Sequence, residues 1–431
     1  MSRTGKLLLG VAILAALFRL PGLGYPGEEY FDEVYHAKTA RQYLNGEPPT
    51  EWVHPPTAKL LIAAGVALFG YEPWAWRLVP ALAGILIAPV FLLLARRVLA
   101  SERAALFATL LLLMDGVYLV QSRIAMTNVF AVLFQLTSVL LLLRAVAEEE
   151  LRTSDMAALG LALGLALSTR WTSLFAWGFM GLVYLVVRRA RAFRARDLAL
   201  GALSFVVLPA AVYLLSYVPW MAQTHPSGLA AWWQRALAAI AWQKDIWGYH
   251  AHLDATHTYF SEWWTWPFLY RPTWYFWFSG GDFVRGIVAL GNPAIWWASL
   301  PVSVWALVVG IRWRDPRLVF CGAGYFLLYL PWGLSPRTLN FSHYLLEAIP
   351  YACLSLGALL DRRWNQGQAF LARGYLVAVA ALFVLFLPFL TAMPVPNALW
   401  SFRFPGLPVE IGPHHVMLGG FGIWTWFPTW I

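Results

Sequence analysis

Cysteine and charge are what this sequence has least of. Cys321 and Cys353 are its only cysteines among 431 residues, and both sit in apolar runs, which excludes a disulfide framework and a thiolate metal cluster. Charged residues make up 12% of the chain, against about a quarter in an average soluble domain. Hydrophobic residues make up 60% and the mean hydropathy is +0.60, so a soluble globular protein is excluded. The sequence also has no low-complexity segment, no convincing internal repeat and no polar stretch able to form a soluble domain. The net charge of +9 does not indicate a nucleic-acid partner, because the basic residues fall in short clusters between apolar runs rather than along one stripe.

What is present is a series of apolar runs, each able to cross a hydrocarbon core roughly 30 Å thick. They place membrane helices near 5–23, 76–98, 103–121, 126–145, 156–168, 171–188, 198–219, 292–311, 317–334, 344–360 and 374–392. The chain thus reads as an all-α polytopic membrane protein of about 11 transmembrane helices. The first run has a short basic flank like that of a signal peptide, but Phe18-Arg19-Leu20-Pro21 is a poor small-residue cleavage site, so it reads as a retained helix. With the N-terminus in the cytoplasm, alternate loops hold Arg96/Arg97/Arg103, Arg144/Arg152, Arg188 to Arg196, Arg312/Arg314/Arg317 and Arg362/Arg363/Arg373, the positive-inside pattern. This orientation turns on the tight turn at Ser168-Thr169-Arg170, since merging 156–168 with 171–188 would invert everything after it.

Residues 1–431 read as one integral membrane unit. A first extracytoplasmic segment spans 24–75, a long extracytoplasmic loop spans 220–291, and 292–431 carries the C-terminal helices and an outer tail. Phe31 to Tyr43 reads as an amphipathic juxtamembrane helix with Val34, Ala37 and Leu44 on one side. A second short helix follows His54-Pro55-Pro56, where proline suits a helix start. The tryptophans of the long loop, among them Trp232, Trp233, Trp242, Trp247, Trp263, Trp264, Trp266, Trp274 and Trp277, read as interfacial aromatics.

The polar island on this outer face combines Phe31-Asp32-Glu33-Val34-Tyr35-His36 with His54-Pro55-Pro56-Thr57-Ala58-Lys59. Transfer to a hydroxyl needs a base near the acceptor and cations near the leaving group. Asp32 and Glu33 are candidates for the base. Adjacent helical residues point about 100° apart, so one is expected to face the site and the other to pair with a basic neighbour. Arg77, Arg123, Arg170, Arg271 and Arg337 lie at outer helix ends or loops, where guanidinium groups can hold a phosphate bidentately. The competing reading for each is a side chain snorkelling to lipid headgroups. Asp115, inside the third helix, is expected to face the interior or a wet cavity, with an arginine as partner. His250, His252 and His257 are too loosely spaced for a zinc site; hydrogen bonds to a sugar or phosphate suit them better. No metal or other cofactor is assigned, and a divalent cation has no support in the sequence.

Through these motifs the chain resembles the protein O-mannosyltransferase family, polytopic enzymes of the GT-C fold. The resemblance rests on Phe31-Asp32-Glu33, Val53-His54-Pro55-Pro56 with Lys59, Trp76-Arg77-Leu78-Val79-Pro80, Asp115-Gly116, Ser122-Arg123-Ile124-Ala125-Met126 and Ser168-Thr169-Arg170-Trp171. It continues through Tyr249-His250, Thr256-His257-Thr258-Tyr259, Trp266-Pro267, Arg271-Pro272-Thr273-Trp274, Gly291-Asn292-Pro293, Tyr329-Leu330-Pro331-Trp332, Arg337 and His343-Tyr344. The resemblance implies transfer of mannose, with inversion, from a polyprenyl-phosphate-mannose lipid to Ser or Thr hydroxyls of an exported polypeptide, outside a cell membrane. It makes Asp32 the general base, Glu33 its neighbour in the motif and Arg77 a residue near the donor phosphate. Arg123, Arg337, His54, Lys59, Arg170, His250, His257, Arg271 and His343 complete the expected donor- and substrate-binding set.

Two departures stand out. Thr127-Asn128 stands where family members continue to an aspartate, and 220–291 is too short for the folded insert of the eukaryotic members, so the chain resembles the smaller prokaryotic branch. A lipid-linked sugar transferase with a different sugar, or with a lipid or glycan acceptor, shares the first acidic motif and is the rival reading. A transporter, which places ionisable residues at mid-membrane and repeats its halves, fits less well.

Overall fold

The computed structural model describes residues 2–431 apart from 192, 220, 222–231, 412–413 and 419. A helix forms at each of the eleven apolar segments: α1 (Arg3–Arg19), α4 (Pro73–Leu99), α5 with α6 (Glu102–Leu113, Gly116–Gln121), α7 (Asn128–Ala145), α8 (Thr153–Leu167), α9 (Ser173–Arg189), α10 (Ala195–Ser216), α12 (Pro293–Trp313), α13 (Pro316–Tyr329), α14 (Ile349–Asn365) and α15 (Ala369–Leu390). The segments 24–75 and 220–291 add α2 (Glu33–Asn45), α3 (Thr57–Phe69) and α11 (Trp232–Ala251). Among the described residues, six helices are long and apolar enough to cross a membrane by length and composition, which makes the chain a multi-pass membrane protein.

The helix ends follow local chemistry. Pro73 starts α4, where its missing N–H costs nothing, and Arg96 and Arg97 close the last turn. Ser101 caps α5 by accepting from the Ala104 amide. The expected continuous helix 103–121 is broken at Asp115, which takes an extended conformation and caps α6 through the Tyr118 amide. Its other oxygen accepts from the Asn292 amide and the Trp296 indole. The expected arginine partner of Asp115 is therefore replaced by neutral donors.

In the bundle α4 packs on α1, α5 and α7, and α14 packs on α5, α12 and α13. Gly84 allows α4 to approach the turn after α6: a Cβ there would lie 2.3 Å from the Ser122 side chain. The face that carries the polar island is built on these helix ends. α2 and α3 lie against each other, and α2 turns its polar side inward, burying Glu33, His36, Ala37, Thr39 and Ala40. Of the three residues expected on one apolar side, Ala37 is buried while Val34 and Leu44 stay exposed.

The all-α expectation needs correction. The long loop 220–291 contains an antiparallel hairpin, β1 (Thr273–Gly280) and β2 (Phe283–Ala289), and β3 (Val395–Pro396) from the tail adds to β2. The segment has the aromatic and β-branched residues that suit a pleated surface, and Gly281 supplies the positive φ of the turn. Farther along the tail, β4 (Leu407–Ile411) pairs with β5 (His414–Leu418). The loop tryptophans divide accordingly. Trp266 is fully buried, whereas Trp233, Trp247, Trp264 and Trp277 are exposed; Trp232 carries no side-chain description.

Candidate active site

Asp32 and Glu33 are separated by the start of α2. Phe31 adopts φ 51°, unusual for an aromatic residue, and stacks on Tyr275 of β1 at 4.0 Å. Asp32 follows as the residue before α2 and lines a cavity of about 520 Å³. Glu33 opens the helix and points into the protein. It receives Nε and Nη2 of Arg77 at 2.8 and 2.7 Å and the amides of Ala125 and Tyr30. Arg77 spends its remaining donors on the carbonyls of Leu23, Pro26 and Glu28. Arg123 donates through Nη1 to the carbonyls of Phe18, Arg19 and Pro21 at the end of α1. These three charged groups fasten the segment 24–75 to the bundle.

The cavity brings together Asp32, His36, Glu51, His54, Asn128, Arg170, His257, Arg337 and Tyr344. Burial, reinforced by the charge of Glu51 and opposed by Arg170 and Arg337, pushes the Asp32 carboxyl up to about 6. A carboxylate in that range is still ionised at neutral pH and more basic than an exposed one. Arg170 is buried, lies 4.6 Å over the Tyr344 ring and sits 3.9 Å from Glu347. Arg337 is half-buried and its Nε has no hydrogen-bond partner among the described residues, so it can accommodate an anion.

An adjoining apolar compartment of about 360 Å³ is lined by Trp171, Leu174, Phe175, Pro331, Trp332 and Leu334, among others. His54, Arg170 and Arg337 line both spaces. A polar chamber that holds Asp32 and Glu51 is thus separated from a greasy one by a wall of two guanidinium groups and His54. That arrangement fits a ligand with a polar head, an anionic linkage and an apolar tail.

Glu51 is the residue that the sequence did not reveal. It accepts from His54 Nδ1 at 2.8 Å, from the amides of Val53 and His54, and from the buried Lys59 ammonium. Lys59 also donates to the carbonyls of Glu51 and His54 at 2.9 and 2.8 Å. Although burial opposes it, Lys59 and His54 hold the Glu51 carboxyl well below its usual range. A carboxylate can only accept, so the His54 ring must donate through Nδ1, and burial keeps its pKa below the ordinary histidine value. Glu51 thereby fixes the orientation of His54 in the cavity wall.

The remaining expected residues lie elsewhere. His250 lines the apolar compartment, 3.1 Å from the Val53 carbonyl. His343 is buried behind the cavity, stacked on Phe341, with Nδ1 unpartnered. Arg271 lies outside both spaces and donates to the Thr258 carbonyl. Among the described residues, no three His, Cys, Asp or Glu side chains converge as a metal site.

Comparison with known proteins adds a second line of evidence. Residues 10–76 and 71–223 match the profile of the dolichyl-phosphate-mannose-protein mannosyltransferases, and 238–403 match that of the C-terminal four-helix membrane region of protein O-mannosyltransferases. A polyprenol-phosphate-mannose–protein mannosyltransferase of Mycolicibacterium smegmatis is 28% identical, over 91% of this chain and 90% of its own. One from Corynebacterium glutamicum is 26% identical over 97% and 92%. In structure, the chain is similar to the Saccharomyces cerevisiae protein O-mannosyltransferase Pmt1-Pmt2 complex bound to the sugar donor. The TM-score is 0.78 over 91% of each chain, at 16% identity, a likeness of fold.

Proposed function

Given that the chain belongs to the dolichyl-phosphate-mannose-protein mannosyltransferase family, we propose that it moves mannose from a polyprenyl-phosphate-mannose to the Ser or Thr hydroxyls of exported polypeptides, with inversion. The observation that carries this reading is the wall of His54, Arg170 and Arg337, whose charge comes from the two guanidinium groups, between a chamber holding Asp32 and an apolar compartment. The lipid occupies the apolar side, its phosphate meets Arg170 and Arg337, and the sugar enters the chamber. Asp32 takes the proton of the acceptor hydroxyl as its oxygen attacks the anomeric carbon. The bond from that carbon to the phosphate oxygen breaks, and the polyprenyl phosphate leaves with the electron pair. A base with a pKa near the working pH favours this transfer, and fixed cations at the departing oxygen stabilise the charge that builds there.

In this account His54 and His257 are groups for the sugar or acceptor, and Lys59 acts through Glu51 and His54. Glu33 and Arg77 act through the fold, because their hydrogen-bonding capacity is taken up by protein partners, and Arg123 does so through the three carbonyls that its Nη1 meets. We assign the chain eleven crossings of a cell membrane, with the N-terminus cytoplasmic and the cavity outside; 1–431 is one catalytic unit. Incubating membranes with labelled polyprenyl-phosphate-mannose and a Ser/Thr-rich peptide, beside other lipid-linked sugars, tests the reading. Mannose on the peptide, abolished by Asp32→Asn, is the expected result. Transfer from another donor, or to lipid instead of peptide, would replace it.

A further inference from the structure

At the other end of the bundle, residues of α4, α7, α9, α12 and α13 enclose an apolar cavity of about 580 Å³. Arg77 and Arg97 mark the two ends of α4, and twenty helical residues rise about 30 Å, one hydrocarbon thickness. The cavity therefore lies at the membrane surface opposite the candidate active site. Leu182, Val186 and Ile311 on its rim are 51, 60 and 63% exposed, so it opens sideways onto hydrocarbon. An apolar space of this kind stays dry and suits an acyl chain.

The charged residues lining it are Arg97, Arg314 and Arg317, with no Asp or Glu. Arg97 donates only to the Leu143 carbonyl. The neighbouring Asp315 uses its carboxylate to accept from the Arg317 backbone amide. Among the described residues, none of the three guanidiniums pairs with a carboxylate. Arg314 adds an independent sign. It ends α12 at φ 54°, the left-handed position where glycine is usual and a side chain is strained. The side chain at this position is an arginine, where the backbone favours glycine.

We propose that this cavity holds an anionic glycerophospholipid of the leaflet opposite the active site, with one acyl chain in the trough and its phosphate among Arg97, Arg314 and Arg317. A zwitterionic lipid would bring an ammonium into the same cluster, and like charges at contact oppose binding. Anionic lipid is favoured by the same physics that draws polybasic segments to such membrane surfaces.

The test is native mass spectrometry of the purified full chain after exchange into micelles holding equal dioleoyl phosphatidylglycerol and dioleoyl phosphatidylcholine. The expected result is a bound-lipid ratio that favours phosphatidylglycerol by about tenfold, which three charge-assisted contacts readily supply. R97Q/R317Q should reduce that ratio several-fold. Arg314→Gly relieves the backbone and so should raise thermal stability in lipid-free detergent while also lowering the ratio, which separates lost binding from lost folding. Equal retention of the two lipids by the unmodified protein would overturn the proposal. So would a phosphatidylglycerol preference that survives all three substitutions, or retention of polyprenyl phosphate in place of phosphatidylglycerol.

Discussion

Two clusters of the same residue types lie side by side at one end of the bundle, one closed and one open. In the closed cluster Glu33 and Arg77 form a fully buried bidentate pair, and the remaining donors of Arg77 reach three backbone carbonyls. In the open cluster Asp32, Arg170 and Arg337 line a shared cavity, and Arg337 has a donor without a partner. Asp32 and Glu33 are consecutive, so neither position in the chain nor residue type separates the two roles. What separates them is whether the hydrogen-bonding capacity of each group is already exhausted. A saturated arginine can hold a loop; an unsaturated one can hold a phosphate.

Substitutions should divide along that line. The largest effect on stability is expected from Arg77→Ala, which strands the Glu33 charge in the interior; breaking a buried pair costs about 3–5 kcal/mol. Chemical denaturation in detergent measures this, and molecules that remain folded should bind donor normally. Loss of donor affinity with full stability would break the comparison. Next come Arg170→Lys and Arg337→Lys, where a point charge replaces the planar fork. Each should lower kcat/KM for the lipid donor by about 10- to 100-fold, the worth of one or two charge-assisted hydrogen bonds, while the melting temperature of Arg337→Lys changes little. Unchanged donor kinetics in both would move the phosphate elsewhere.

The pH dependence sharpens the same contrast. The Asp32 carboxyl is pushed up to about 6 by burial and Glu51, and only its ionised form can take a proton. Transfer should therefore fall as pH drops through about 6, tending to about tenfold per unit below it, the behaviour of a single essential base. A rate that stays level down to pH 5 would remove Asp32 from that role. The smallest effect belongs to Arg271→Lys. This arginine lies outside both compartments, and substitutions away from a site usually change little, so its transfer rate should stay within about twofold.

Much of the architecture was readable because hydropathy is a property of contiguous residues. Each of the eleven apolar segments contains a helix, and the short helices after Asp32 and after Pro56 lie where the polar and proline signals put them. The break at Asp115 was hidden, since its cause is the Asn292 amide and the Trp296 indole, far along the chain. The hairpin 273–289 was hidden because its aromatic residues suit an interface as well as a strand. Arg77 and Arg170 looked alike in sequence, each at an outer helix end. Only the fold shows that one is enclosed by carbonyls and the other borders a cavity. Glu51 carried no motif, and its importance comes from the packing of α2 on α3 around Lys59 and His54.

The central claim is that Asp32 does the chemistry while Glu33 holds the fold. Its most direct test is single-turnover transfer by Asp32→Asn, with saturating lipid donor and peptide, beside donor binding and thermal unfolding of the same preparation. Asparagine keeps the shape and hydrogen bonding of the side chain but not its basicity. The account predicts a rate lowered by about 10² or more, as for a lost general base, with donor affinity and melting temperature close to those of the unmodified protein. Near-normal turnover in the folded variant would contradict it and turn attention to Glu33.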